Sequence, residues 1–79
     1  MRIISRTMLT LFSRPTCAPC RVVKTWLTNK GIDFVEKPAE GAEYLAHAER
    51  YGSMVPLIIK GDSGISGLDF SRLNRLLEQ

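Results

Sequence analysis

The chain has 79 residues, 44% of them hydrophobic, which fits a single domain over residues 1–79 with a modest core. Eleven basic and eight acidic residues leave a net charge of +3, and the basic ones are dispersed, which argues for solubility and against nucleic-acid binding. No apolar run approaches the ~20 residues that span a bilayer, and Met1 to Thr7 lack the apolar stretch of a signal peptide, so a cytoplasmic protein is expected.

Residues 1–6 read as a short leader. Met8 to Phe12 is apolar except at Thr10, the pattern of a central strand covered on both faces. Ser13 to Thr16 is a loop, in which Pro15 disfavours helix at Arg14. Arg21 to Lys30 predicts a helix, and Pro19 is tolerated in its first turn, where an N–H is not needed. Val22, Val23, Trp26 and Leu27 form its apolar stripe, and Gly31 supplies a left-handed cap. Ile32 to Lys37 reads as a second strand, stopped by Pro38. One helix between two strands makes a βαβ unit with a parallel pair. Glu40 to Tyr51 predicts a second helix, with Ala42, Leu45, Ala48 and Tyr51 inward and Gly52 closing it. Val55 to Lys60 is the third strand, with Pro56 at its first position and a candidate for a cis bond. Gly61 to Gly64 is a turn, and a short fourth strand covers Gly64 to Ser66. The last helix runs from Ser71, its expected N-cap, to Glu78, with Phe70, Leu73, Leu76 and Leu77 on its apolar side. The order β-α-β-α-β-β-α predicts an α/β fold, a four-stranded mixed sheet flanked by three helices.

Both cysteines fall in Cys17-Ala18-Pro19-Cys20, at the junction of the first strand and first helix. Two intervening residues put the thiols about one helical turn apart, near enough for a disulfide. A helix N-terminus stabilises a thiolate through its unpaired N–H groups and its dipole. This setting suits reversible thiol chemistry better than a permanent staple. Cys17, at the exposed start of the helix, is the candidate nucleophile, and Cys20, one turn further in, the candidate resolving thiol. Arg14 adds positive potential, while Arg21 is less well placed. A free thiol pKa of about 8.5 is expected to fall toward ~7 here. Pro19 stiffens the turn, so a reducing couple nearer ~−270 mV than the oxidising end is expected.

Other readings of the same residues are weaker. A zinc site needs about four ligands, and the chain offers His47 as its only histidine and no second cysteine pair. Inert core thiols leave the spacing and the helix context unexplained. His47 reads as a surface residue of the second helix, and Trp26 as packing rather than a substrate platform. Arg14 stands between a site residue and a solvated loop charge.

Ser-Arg-Pro-Thr-Cys-Ala-Pro-Cys, followed by a helix ending Asn-Lys-Gly-Ile-Asp-Phe, resembles the glutaredoxin group of the thioredoxin superfamily. Met54-Val55-Pro56 resembles that group's cis-proline segment. Ser66-Gly67-Leu68, with Ser71 to Leu76 after it, looks most like the NrdH-redoxins. The resemblance covers residues 8 to 78 and rests on three separated signatures in the right order. The chain departs from NrdH-redoxins in having Ile65 where they usually carry Trp, and Ala18-Pro19 between the cysteines where they commonly carry Val-Gln. It also has Ser66-Gly67 where glutaredoxins carry a Gly-Gly segment.

The resemblance implies a thioredoxin fold and a protein-disulfide oxidoreductase with Cys17 and Cys20 as its catalytic pair. It implies partner contacts at Arg14, Thr16, Ala18, Pro19, Val55, Pro56, Ser66, Gly67 and Leu68. In particular, the Val55 backbone would pair with an extended partner segment, the mode of β-augmentation. Thioredoxin reductase is the implied electron donor and ribonucleotide reductase the implied acceptor, for a monomer needing no metal or organic prosthetic group. A glutathione-dependent glutaredoxin is the alternative, with Arg14, Lys37 and Asp69 as candidate glutathione contacts. A non-enzymatic redox-sensing module is a second. The arsenate-reductase and Spx-type chains share a Cys-x-x-Cys-Arg run but need an added helical region for which 79 residues leave no room.

Overall fold

The structure is a computed structural model and describes residues 9–78. The expected leader and Met8 lie outside the described residues. In chain order the elements are β1 (Leu9–Ser13), α1 (Ala18–Asn29), β2 (Val35–Pro38), α2 (Gly41–Tyr51), β3 (Leu57–Lys60), β4 (Ser63–Ser66) and α3 (Phe70–Glu78). The four strands form one mixed sheet in the order β2-β1-β3-β4, with β1 parallel to β2 and antiparallel to β3. This is the four-stranded mixed α/β arrangement expected from the order of elements, and it fits the thioredoxin fold that the resemblance implies.

Alternation along the central strands divides the core in two. Leu9 and Leu11 of β1, with Ile58 of β3 and Ile65 of β4, face α1 and α3, where they meet Val23, Leu27, Leu73 and Leu76. Phe12 of β1, with Leu57 and Ile59 of β3, faces α2 and packs on Tyr44. Each fully buried aliphatic side chain contributes roughly 1.5–3 kcal/mol relative to exposure.

Helix α1 starts earlier than the sequence predicts, at Ala18, because Pro19 sits comfortably in its first turn. Its end follows expectation. Gly31 adopts φ +72° just past Lys30, Gly31 N–H donates to Thr28 O at 3.0 Å and Ile32 N–H to Leu27 O at 3.0 Å. That is a Schellman closure, and Ile32 packs into the same cluster as Leu27. It also corrects the second strand. Ile32 is tied back to the helix, so pairing starts only at Val35, and Pro38 is the last residue of β2 rather than the residue after it. A proline is tolerated there because β2 is an edge strand.

Four further expectations are corrected. Ala42 and Leu45 point outward, Leu45 being 59% exposed, and Tyr44 is the buried residue of α2. Two apolar stripes compete on this helix, and the aromatic one wins. The Tyr44 ring meets Phe12 edge-on at 5.6 Å and its hydroxyl donates to Ser53 O at 2.6 Å. His47 is not a free surface residue but half-buried between Phe12 and Tyr51. The cap of α3 is Asp69, whose carboxylate accepts the Arg72 N–H at 3.1 Å, so the helix begins before Ser71. Trp26 packs as expected, its ring 5.2 Å from Phe70 with the Lys30 ammonium 4.9 Å above it. Val22, however, is 47% exposed.

Candidate active site at the Cys17–Cys20 disulfide

Strand β1 ends at buried Ser13, and the chain turns at once. Cys17 N–H donates to Arg14 O at 3.2 Å, and Arg21 N–H to Cys17 O at 3.3 Å. Cys17 is the N-cap of α1, with extended backbone, and its Sγ accepts the Cys20 N–H at 3.1 Å. Sulfur thus does what a Ser or Asp oxygen usually does at an N-cap. The same bond strengthens when the sulfur is a thiolate, because charge-assisted hydrogen bonds are the stronger kind.

Cys17 and Cys20 are joined as a disulfide, their Cα atoms 5.2 Å apart. Cys17 is half-buried, whereas Cys20 is 1% exposed and belongs to the core. The two sulfurs therefore differ in access. Thr16, Ala18 and Pro19 are exposed around them. Arg14 is exposed too, its guanidinium 6.0 Å above the Tyr44 ring.

Strand register brings the second group of expected residues to the same end of the sheet. Phe12 pairs with Leu57, and Leu57 with Ser66. The residues just beyond these pairs, Ser13 with Arg14 after it, Pro56 and Gly67, therefore emerge together at that end. The Val55–Pro56 bond is cis. Strand β3 begins at Leu57, two residues after the expected start at Val55, so buried Pro56 precedes the strand rather than opening it. Its carbonyl is not left unpaired, because Gly67 N–H donates to it at 2.9 Å. Val55 is half-buried against the α2 side of the core, and Leu68 is 43% exposed. The Ser66 Oγ is engaged at the end of α2, donating to Tyr51 O at 2.9 Å. Asp69 serves as the α3 cap, and Lys37 pairs with Glu43 at 2.9 Å.

One part of the site escaped the sequence reading. A cleft of about 510 Å³ beside the disulfide runs between α1 and the end of β2, lined by Cys20, Arg14, Arg21, Lys24 and Glu36 among others. Glu36 accepts from Ser13 Oγ at 2.6 Å and from Lys24 Nζ at 3.2 Å. The Ser13 hydrogen bond first, and the Lys24 ammonium after it, hold the Glu36 carboxyl below its ordinary 4.5 against the opposing effect of burial. The signal lay in the parallel register, which sets Glu36 opposite Leu11 and Pro38 opposite Ser13. Among the described residues no cluster of three or more His, Cys, Asp or Glu side chains could hold a metal ion. No described helix is long and apolar enough to cross a membrane.

The family model described as glutaredoxin matches residues 9–65. The glutaredoxin-like protein NrdH of Escherichia coli K12 is 33% identical over 72 residues, covering 86% of each chain. The chain belongs to the glutaredoxin family, in its NrdH-redoxin group. A second relative is the NrdH protein of Lactococcus lactis MG1363, 34% identical over 71 residues, which span 87% of this chain and 99% of that one. Among solved structures, the glutaredoxin-like NrdH-redoxin from Escherichia coli superposes with a TM-score of 0.69 at 30% identity, over 87% of this chain and 93% of that one. In this glutaredoxin the disulfide occupies the start of α1, and family and disulfide together make it a thiol–disulfide oxidoreductase.

Proposed function

We propose that the chain is a dithiol electron carrier that reduces protein disulfides, with ribonucleotide reductase as its acceptor and thioredoxin reductase, fed by NADPH, as its donor. The observation that carries this reading is the unequal access of two linked sulfurs at a helix N-terminus: Cys17 half-buried and Cys20 1% exposed. In the reduced protein the Cys17 thiolate attacks one sulfur of a partner disulfide. The partner's S–S bond breaks, and its leaving sulfur takes up a proton. Cys20 then gives up its proton and attacks Cys17 Sγ, releasing the second partner thiol and closing the Cys17–Cys20 disulfide. Two electrons have passed to the partner, and a dithiol donor restores them.

The reaction as written requires no metal or organic prosthetic group. Val55 and Pro56, with Ser66, Gly67 and Leu68 beside them, form the wall against which an extended partner segment lies. Thr16, Ala18 and Pro19, with Arg14, border the sulfur from the other side. The Escherichia coli NrdH-redoxin is a glutaredoxin-like protein with a thioredoxin-like activity profile, which supports thioredoxin reductase over glutathione as the donor. A dithiol that must be returned to its reduced form fits a reducing cytoplasm and action as a monomer.

The test is reduction of insulin disulfides with two competing donors: NADPH with thioredoxin reductase, and NADPH with glutathione and glutathione reductase. Turnover with the first alone is expected, and ribonucleotide reductase is then the acceptor to assay. Turnover with the second alone would make the chain a glutathione-dependent glutaredoxin. Activity with neither would leave a redox-sensing module.

A further inference from the structure

The cleft beside the disulfide carries more positive charge than its own acids balance. Arg14, Arg21, Lys24 and Lys37 line it, and Glu36 is its only carboxylate. Lys24 is engaged by Glu36 at 3.2 Å and Lys37 by Glu43 at 2.9 Å. Arg21 is exposed and makes no hydrogen bond, ion pair or ring contact with another side chain among the described residues. Among the described residues the Arg14 guanidinium has only the Tyr44 ring, at 6.0 Å. Two guanidinium groups, the side chain best suited to grip a carboxylate with two parallel hydrogen bonds, are thus left without an acid on either side of the cleft. Cys20 lines the same cleft, so whatever occupies it borders one residue of the disulfide pair.

We propose that this cleft receives an acidic segment of the disulfide-bearing polypeptide that the chain reduces, with Arg14 and Arg21 holding its carboxylates. The proposal deepens the reductase reading and rests on it for the identity of the polypeptide. Charge decides the occupant. A second copy of this chain, at net charge +3, would bring its own basic cleft to this one and be repelled. The segment would lie on the β2 side of α1, away from the Pro56–Gly67 wall, so it adds a contact that backbone pairing at Val55 does not supply. Complementary charge at such a rim raises the encounter rate and discriminates between partners more than it adds raw affinity.

A second pair of arginines, Arg72 and Arg75 of α3, lines another cleft. They lie with Asp62 and Ser63 toward the β3–β4 turn, the end of the sheet away from the disulfide. They serve as the internal control.

The test reads binding rather than turnover. Two fluorescein-labelled peptides of one sequence are compared, with serine in place of both cysteines so that no exchange occurs. One carries glutamates on its flanks and the other glutamines. At low salt the acidic peptide is expected to bind about tenfold tighter, and the difference should shrink as salt rises. The double variant R14Q/R21Q should bring the two affinities together, Arg21→Lys should keep part of the preference, and R72Q/R75Q should leave it intact. Equal binding of the two peptides overturns the proposal. So does a preference that survives R14Q/R21Q or disappears in R72Q/R75Q. Displacement of the acidic peptide by oxidised glutathione at equal concentration would assign the cleft to the small tripeptide instead, and displacement by an oligonucleotide would make it a general polyanion site. Because the peptides cannot react, this outcome is independent of the two-donor assay, which tests the reductase reading separately.

Discussion

The backbone N–H of Cys20 points at Cys17 Sγ, 3.1 Å away. One sulfur therefore has two duties, capping α1 and reacting. Substitution can separate them. Cys17→Ser should abolish disulfide turnover while keeping an oxygen at the cap. Cys17→Ala should abolish turnover and also cost about 0.5–2 kcal/mol of stability. Denaturant unfolding of both variants against the reduced wild type checks this, and equal stability of the two would refute a capping role. Retained activity in Cys17→Ser would remove Cys17 as the nucleophile.

The difference in burial between Cys17 and Cys20 predicts an order of attack. In the reduced protein, limiting iodoacetamide should modify Cys17 more than about tenfold faster than Cys20. Cys20→Ser should stop the second step and leave the partner attached through Cys17, visible by intact mass and reversed by dithiothreitol. Alkylation of Cys20 first would invert the assignment.

Glu36 gives a pH dependence of definite sign. Its carboxyl is held below 4.5 in the folded chain, by Ser13 first and Lys24 second. A depressed folded-state pKa adds stability above the unfolded value, and that stability is lost as pH falls through the folded one. Glu36→Gln should therefore be less stable than wild type at neutral pH. The gap should narrow below 4.5 and close at still lower pH. The Lys24 and Glu36 side chains are each more than a third exposed, so added salt should shrink the gap as well. A gap that holds constant into acid would show that the charge of Glu36 contributes nothing.

Gly52 adopts φ +110°, and a Cβ there would come within 2.5 Å of Ser66 Oγ. Ser66 is held in place by its bond to Tyr51 O, so it cannot give way without losing that bond. Gly52→Ala should cost about 1–3 kcal/mol, from backbone strain and the displaced hydroxyl together. Thermal unfolding reads it directly. Ser66→Ala in the same background should recover part of the loss, since it removes the nearest atom.

Tyr44 tests the corrected packing of α2. Tyr44→Phe keeps the ring on Phe12 and removes only the donor to Ser53 O, at an expected cost of about 0.5–1.5 kcal/mol. Leu45→Ala, on the outward face, should change stability by less than about 0.5 kcal/mol. The reverse ranking would restore the face read from the sequence.

Order, class and disulfide position were legible because each rests on local chemistry. Apolar runs mark β1 and β3, Gly31 ends α1, and two cysteines two residues apart sit where a strand meets a helix. The errors arose where two local signals compete and a distant residue decides between them. Ala48 and Tyr51 face inward as expected, but Ala42 and Leu45 continue their stripe as well as Tyr44 does until Phe12 arrives from β1. Ile32 has strand character, yet the backbone of Leu27 claims its N–H. Ser71 is a fair N-cap, but Asp69 stands two residues earlier with a better acceptor. The basic cleft is the product of register alone. The βαβ pattern predicts that β2 runs beside β1, but nothing local to Glu36 or Arg21 gives the register that sets them around Cys20.

Strand β1 is clasped by β2 on one side and β3 on the other, and both its faces are roofed by helices. A beam held on four sides has little room to shift when the bond four residues beyond its end opens or closes. Amide shifts on reduction are therefore expected to stay near the two cysteines and to leave β1 unmoved. A donor and an acceptor would then tell the two states apart at the sulfur atoms themselves, not by reading a change of shape from a distance.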